Sequence, residues 1–252
     1  MFNKFIPLII AVVSFTVWEA IIALPQWLWS SLFVFCVVFF LGFLKLHGFH
    51  VVSKVFWFLA VPPFFLTLSC GVLSLFLTLP WLSHLLIAAA AIFAYLYLSH
   101  VYLFLFAITS YRPLSLERFS SYAGIASFAA AAITAYGFVN FLNVPIWYVV
   151  LAAAAVTFIL SSQFFWVNKI DEQHTLFAAL VVTILIVEFF WAIAFFPITH
   201  FVSGFSLGII YYVIVNLTLA HFLDTLERKV VATHLAVGGL CVLAILLSAR
   251  WL

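Results

Sequence analysis

Apolar residues in this chain run in long blocks rather than in alternating or striped patterns. Whole turns are apolar, as in Val37-Val38-Phe39-Phe40 and Ala88-Ala89-Ala90-Ala91. Strands of a membrane barrel alternate apolar and polar residues over about ten positions, and nothing here does so. A membrane-spanning helix needs about 20 mostly apolar residues. Nine stretches qualify, near 5–24, 27–44, 55–78, 81–108, 119–141, 145–167, 175–196, 198–222 and 230–250. In hydrocarbon a helix pairs each backbone amide within its own segment. The pattern therefore predicts an all-α integral membrane protein with about nine transmembrane helices in a single bundle, joined by short loops. The whole of 1–252 is expected to form one polytopic domain.

Composition agrees with the pattern. The chain is 69% hydrophobic and 6% charged, with a mean hydropathy of +1.36. Soluble domains carry about 25% charged residues. A soluble enzyme, a disordered chain and a nucleic-acid binder are excluded. Cys36, Cys70 and Cys241 all lie in apolar stretches and read as small hydrophobes, not as a disulfide framework or a metal motif.

The net charge of +2 says little, but its distribution says more. Lys4, Lys45, Lys54, Arg112, Arg118, Lys169, Arg228 and Lys229 all fall on one side of a nine-span model, and only Arg250 falls on the other. Positive loops stay cytoplasmic, so the N-terminus is expected inside and the C-terminus outside. The expected location is the cell membrane, the cytoplasmic membrane in a bacterium. Lys4 before an apolar run has the polarity of a signal peptide. The run is too long, contains Glu19 and lacks a clear cleavage site, so it reads as the first span.

The outer turns resemble one another: Leu24-Pro25-Gln26-Trp27, Leu79-Pro80-Trp81, Val144-Pro145-Ile146-Trp147 and Phe196-Pro197-Ile198-Thr199. Four tandem helical hairpins plus one extra span would give this pattern. So would the preference of Pro for a first helical turn and of Trp for the interface. Small residues mark tight packing. Ala123, Ser127, Ala131 and Ala135 recur every four positions in span five, Ala152–Ala155 lie in span six, and Gly204 and Gly208 form G-x-x-x-G in span eight. Spans five, six and eight are expected in the interior, and the Phe-rich spans two and three at the periphery.

Polar residues inside spans carry the candidate chemistry. Glu19 lies 15 residues past Lys4, about 22 Å along a helix, in the outer half of span one. Glu188 is the one charged residue between Thr175 and Pro197, nearer the middle. A charge at the bilayer centre costs about 2.5–3.5 kcal/mol, so desolvation favours the neutral acid. Glu188 is expected to face the bundle interior, with Trp191 walling it from lipid. His84 and His200 lie near the outer ends of spans four and eight. Glu188, Glu19, His84 and His200 thus form a candidate proton or ligand site. A second candidate cluster, on the cytoplasmic side, contains His100, His221, Asp224 and His234, with His47 and His50 nearby. Gln163 and Asn216 read as helix-to-helix hydrogen bonds.

No motif indicates a metal or other cofactor, and none is expected. No G-x-x-x-x-G-K-[ST] phosphate loop, H-x-x-x-H or interior Lys in the last span occurs. Three functions fit. The leading one is a proton-coupled carrier or permease for a small or amphipathic molecule, using the intramembrane carboxylates. The others are a scaffold or accessory subunit of a membrane complex, and a membrane-embedded enzyme acting on a lipid or isoprenoid substrate. The expected partners are the lipid bilayer, a small-molecule or lipid ligand, and another membrane protein; nucleic acid is not one. A midplane cavity at Glu188 would favour transport, and a cleft at His221 and Asp224 catalysis. A solid core would favour the scaffold.

Overall fold

A computed structural model of the chain describes residues 2–48, 53–106 and 114–248. Among these residues there are nine α-helices and no strand: α1 (Ile6–Ala23), α2 (Leu28–Leu46), α3 (Lys54–Ser74), α4 (Pro80–Phe106), α5 (Ser115–Leu142), α6 (Ile146–Val167), α7 (Glu172–Ala194), α8 (His200–Phe222) and α9 (Arg228–Ser248). Each helical segment is long and apolar enough to cross a membrane. The protein is an all-α polytopic membrane protein. Arg112, Arg250 and His50 lie outside the described residues.

Short connections close the helix ends. On one side, proline starts or precedes each helix. Pro80 is the first residue of α4, and Pro145 caps α6. Pro25 opens a 3₁₀ turn, Pro25–Trp27, that leads into α2. Pro lacks the N–H that an opening turn would leave unpaired. On the other side, α6 and α8 end in the same left-handed device. Lys169 (φ 63°) and Asp224 (φ 53°) take the residue position after the cap. Ile170 N–H then donates to Phe165 O at 3.2 Å, and Thr225 N–H to Ala220 O at 2.9 Å, which satisfies carbonyls the helix would otherwise leave unpaired. α3 stops at Ser74, earlier than its apolar run suggests. There the Ser74 hydroxyl donates to Gly71 O at 2.6 Å, and Ser83 at the start of α4 donates to Ser74 O at 3.0 Å.

The helices fall into two compact units, Met1–Ala123 and Gly124–Leu252, with α5 running from one into the other. In the first unit α1 packs on α2 and α4, and α3 packs on α4. Its core is aromatic, built on Trp18, Phe35, Phe39, Phe43, Phe56 and Tyr97. The Trp18 indole lies directly on Gly71, where a Cβ would come 2.0 Å from the ring. α2 is peripheral, as expected, burying only Phe35, Phe39, Phe43 and Leu46. α3 is not peripheral. It buries residues on most of its circumference, from Phe56 to Ser74, Pro62 and Pro63 included. Phenylalanine content cannot distinguish a lipid face from an aromatic core.

In the second unit α6 packs most extensively on α7, α7 on α8, and α8 on α9. α5 and α8 meet at backbone distance. A Cβ on Gly204 would lie 2.3 Å from Ile133 Cα, and one on Gly208 2.9 Å from Ala129 Cβ. Spans five, six and eight do supply buried surface, though the α5 contact runs through Ala129 and Ile133. Ala123 and Ser127 are fully buried, while Ala131 and Ala135 are half-buried. α9 is exposed along most of its length and touches α8 where Gly238 meets Val213.

Two predictions follow from this packing. In a variant lacking the native cysteines, cysteines at Thr78 and Gln173, both exposed, should react with an impermeant maleimide from opposite sides of the membrane; labelling of both from one side would refute nine crossings. Gly204→Ala should destabilise the detergent-solubilised protein by about 1–3 kcal/mol, because the methyl meets backbone that cannot give way. Phe40→Leu, at a half-buried position of the peripheral α2, should shift the melting temperature less.

Candidate functional site

α1 and α4 bring two of the expected outer residues together. His84 Nδ1 and Glu19 Oε2 share a hydrogen bond at 2.7 Å, across 65 residues of sequence. α1 and α4 run antiparallel in the first unit, so the outer half of one meets the opening turns of the other. The imidazole is half exposed and the carboxyl a quarter exposed. Glu19 Oε1 is buried and accepts no hydrogen bond, and the adjacent Trp18 Nε1–H donates none. One turn further into the unit, α1, α3 and α4 border a narrow cleft that includes Ser14, Trp18, Gly71 and Ile87. It encloses about 180 Å³ with its mouth, and it is too narrow to hold water.

The other two members of the outer set lie in the second unit and do not meet. His200 is buried at the start of α8, edge-on to Phe141 at 4.9 Å and against Phe201 at 4.1 Å. Glu188 does not face the interior. On α7 the buried residues are Val182, Ile186, Phe190 and Ile193, while Phe177, Val181, Ile184, Glu188, Ala192 and Phe195 are exposed. At 100° per residue, Glu188 stands opposite the buried stripe. The expectation failed because sequence hydropathy is equally high on both faces of α7, so neither periodicity nor composition orients it. Trp191 meets Trp147 at a tilt, with ring centroids 4.6 Å apart, bracing α7 against α6 rather than walling off an acid.

The inner candidates are dispersed. His100 Nδ1–H donates to Leu96 O within its own helix at 2.8 Å, and its ring lies 4.6 Å from Phe119. His234 meets Tyr212 edge-on at 5.8 Å. His221 and Asp224 are exposed at the end of α8. No group of three or more metal-ligating side chains forms among the described residues. Asn216 bonds to Tyr212 O in its own helix at 2.8 Å, not across helices, since the carbonyl four residues back is the nearest acceptor. Gln163 is fully buried, with Gly124 of α5 beside its Oε1.

Sequence reasoning missed three features. Tyr136 donates to Phe190 O at 2.9 Å and stacks on the Phe190 ring at 4.5 Å, joining α5 to α7. Ser161 donates to the Tyr211 hydroxyl at 3.4 Å, joining α6 to α8. Both tyrosines stand in apolar runs, where an isolated hydroxyl is the available signal. The third feature is Gly204-Phe205-Ser206-Leu207-Gly208, which spells G-x-S-x-G. In hydrolases that spacing belongs to a strand-to-helix turn exposing a nucleophile. Here all five residues lie inside α8, and the Ser206 hydroxyl is buried without a hydrogen-bond partner. The two glycines serve the contact with α5.

Residues 45–248 match the profile of a family described as Protein of unknown function (DUF5656). The chain belongs to the DUF5656 family. No curated protein and no solved structure matches it. The matched region begins at the end of α2 and runs through α9, so it takes in His84 but not Glu19.

The Glu19–His84 bond is testable directly. A double-mutant cycle with Glu19→Gln and His84→Ala, read by thermal unfolding, should give a coupling of about 0.2–1 kcal/mol, the range of part-exposed pairs. Zero coupling would mean that the pair is absent in the membrane.

Proposed function

We propose that this DUF5656 protein is an accessory or scaffold subunit of a membrane complex, acting by helix–helix association within the bilayer. The observation that carries the reading is Glu188 on the outward face of α7. A carboxyl group facing hydrocarbon is expensive, and a polar group on a neighbouring helix relieves that expense. The cleft of α1, α3 and α4 touches neither Glu188 nor the His221–Asp224 end of α8. If each helix crosses the bilayer, Lys4, Lys45, Lys54, Arg118, Lys169, Arg228 and Lys229 share one side, and that side is the cytoplasmic one.

The test is the mass of the assembly in native membranes. A tagged chain extracted in mild detergent should run as a complex larger than one chain. Glu188→Leu should shift it to the mass of one chain, and Glu188→Gln should not. A single-chain mass for the unsubstituted protein would overturn the reading.

One observation favours a second reading, proton-coupled carriage. The Glu19–His84 bond links a half-exposed imidazole to a carboxyl with one buried, unbonded oxygen, an arrangement through which a proton can pass. That reading requires reconstituted vesicles to show potential-driven proton uptake that Glu19→Gln abolishes. The scaffold reading predicts uptake no greater than that of protein-free vesicles.

A further inference from the structure

The first unit brings two metal-ligating side chains together at the outer ends of α1 and α4. We propose that Glu19 and His84 bind a zinc ion there and that the ion ties the two helices. The proposal stands on the first unit alone and goes beyond the scaffold reading.

The pair supplies donor atoms of two kinds. His84 Nδ1 and Glu19 Oε2 stand 2.7 Å apart. An imidazole with its hydrogen on Nε2 presents a lone pair at Nδ1, on the side of the carboxylate. Zinc takes imidazole nitrogen and carboxylate oxygen at about 2.0–2.2 Å, so a tetrahedral ion between them needs the two atoms about 3.3 Å apart. The side chains must separate by about 0.6 Å to admit it. Both are part-exposed, so they can do so without moving a helix.

Glu19 Oε1 makes no hydrogen bond with any described residue. It can join the ion as a second carboxylate donor without breaking an existing bond. The half-exposed imidazole leaves the remaining positions open to water. No third histidine, cysteine or carboxylate joins the pair among the described residues. A structural zinc centre is closed by four protein ligands, so this two-residue site holds its ion loosely and exchanges it.

Charge and ligand type select the ion. The cations of the first unit, Lys4, Lys45, Lys54 and Arg118, lie at or beside the helix ends remote from the pair. The turns beside it, 24–27 and 75–80, contain no Lys or Arg. Nothing there repels a cation, and Glu19 attracts one. An imidazole ligand favours zinc over magnesium and calcium, which take oxygen.

The test uses the full chain purified in detergent without a histidine tag, with Cys36, Cys70 and Cys241 replaced by alanine. Zinc is titrated calorimetrically. This parent chain should bind it saturably, and should bind magnesium at least about tenfold more weakly. His84→Asn places an amide N–H where Nδ1 stands, so it keeps a hydrogen bond to Glu19 but offers no imidazole lone pair. It should melt near the parent temperature without metal. Its zinc affinity should fall at least about tenfold, which is what loss of even an outer-shell partner costs a metal site. Glu19→Gln should lose a similar factor. Added zinc should raise the melting temperature of the parent chain and of neither variant. No saturable zinc binding, an unchanged affinity in either variant, or magnesium bound as tightly as zinc would overturn the proposal.

Discussion

Hydrocarbon offers the backbone no hydrogen-bond partner. That constraint turns this sequence into helices, and most of the structure depends on it. Each described connection is brief because each helix end must satisfy its own carbonyls and amides within a few residues. The left-handed Lys169 and Asp224 do this on one side, and the prolines do it on the other. The described connections are short, and the candidate polar side chains discussed above lie on helices or at their ends.

Water does not sort those faces in a membrane. Lipid tails are as apolar as leucine, so helices associate by packing and by hydrogen bonds between them. The second unit shows both. Gly204 and Gly208 bring α8 onto the α5 backbone, and Tyr136 and Tyr211 each contribute one hydroxyl to a neighbouring helix. The first unit relies on aromatic contact instead, with Trp18 flat on Gly71 and a run of Phe rings around Phe35, Phe39 and Phe64.

Helix number was legible because hydropathy over 18 or more residues has one physical reading. The meeting of Glu19 with His84 was legible in kind: both sit at similar depth near outer turns, and antiparallel neighbours can join them. The outward orientation of Glu188 was not legible. Both faces of α7 are Leu, Val, Ile and Phe, so the stripe that packs is decided by the shapes of α6 and α8. The core position of α3 was hidden for the same reason. Gly204 and Gly208 were legible as a contact, but not the residues they would meet.

The account turns on which way α7 is rotated, and spin-label accessibility along that helix measures the rotation directly. Labels from position 177 to 195 in a bilayer should show a helical period. Positions 182, 186 and 190 should be immobilised, 181, 184 and 188 should lie in the opposite phase, and 188 should be closed to a water-soluble relaxant. A label at 188 that is immobilised in phase with 186 and 190, and open to that relaxant, would place the acid in an internal aqueous site and contradict the account.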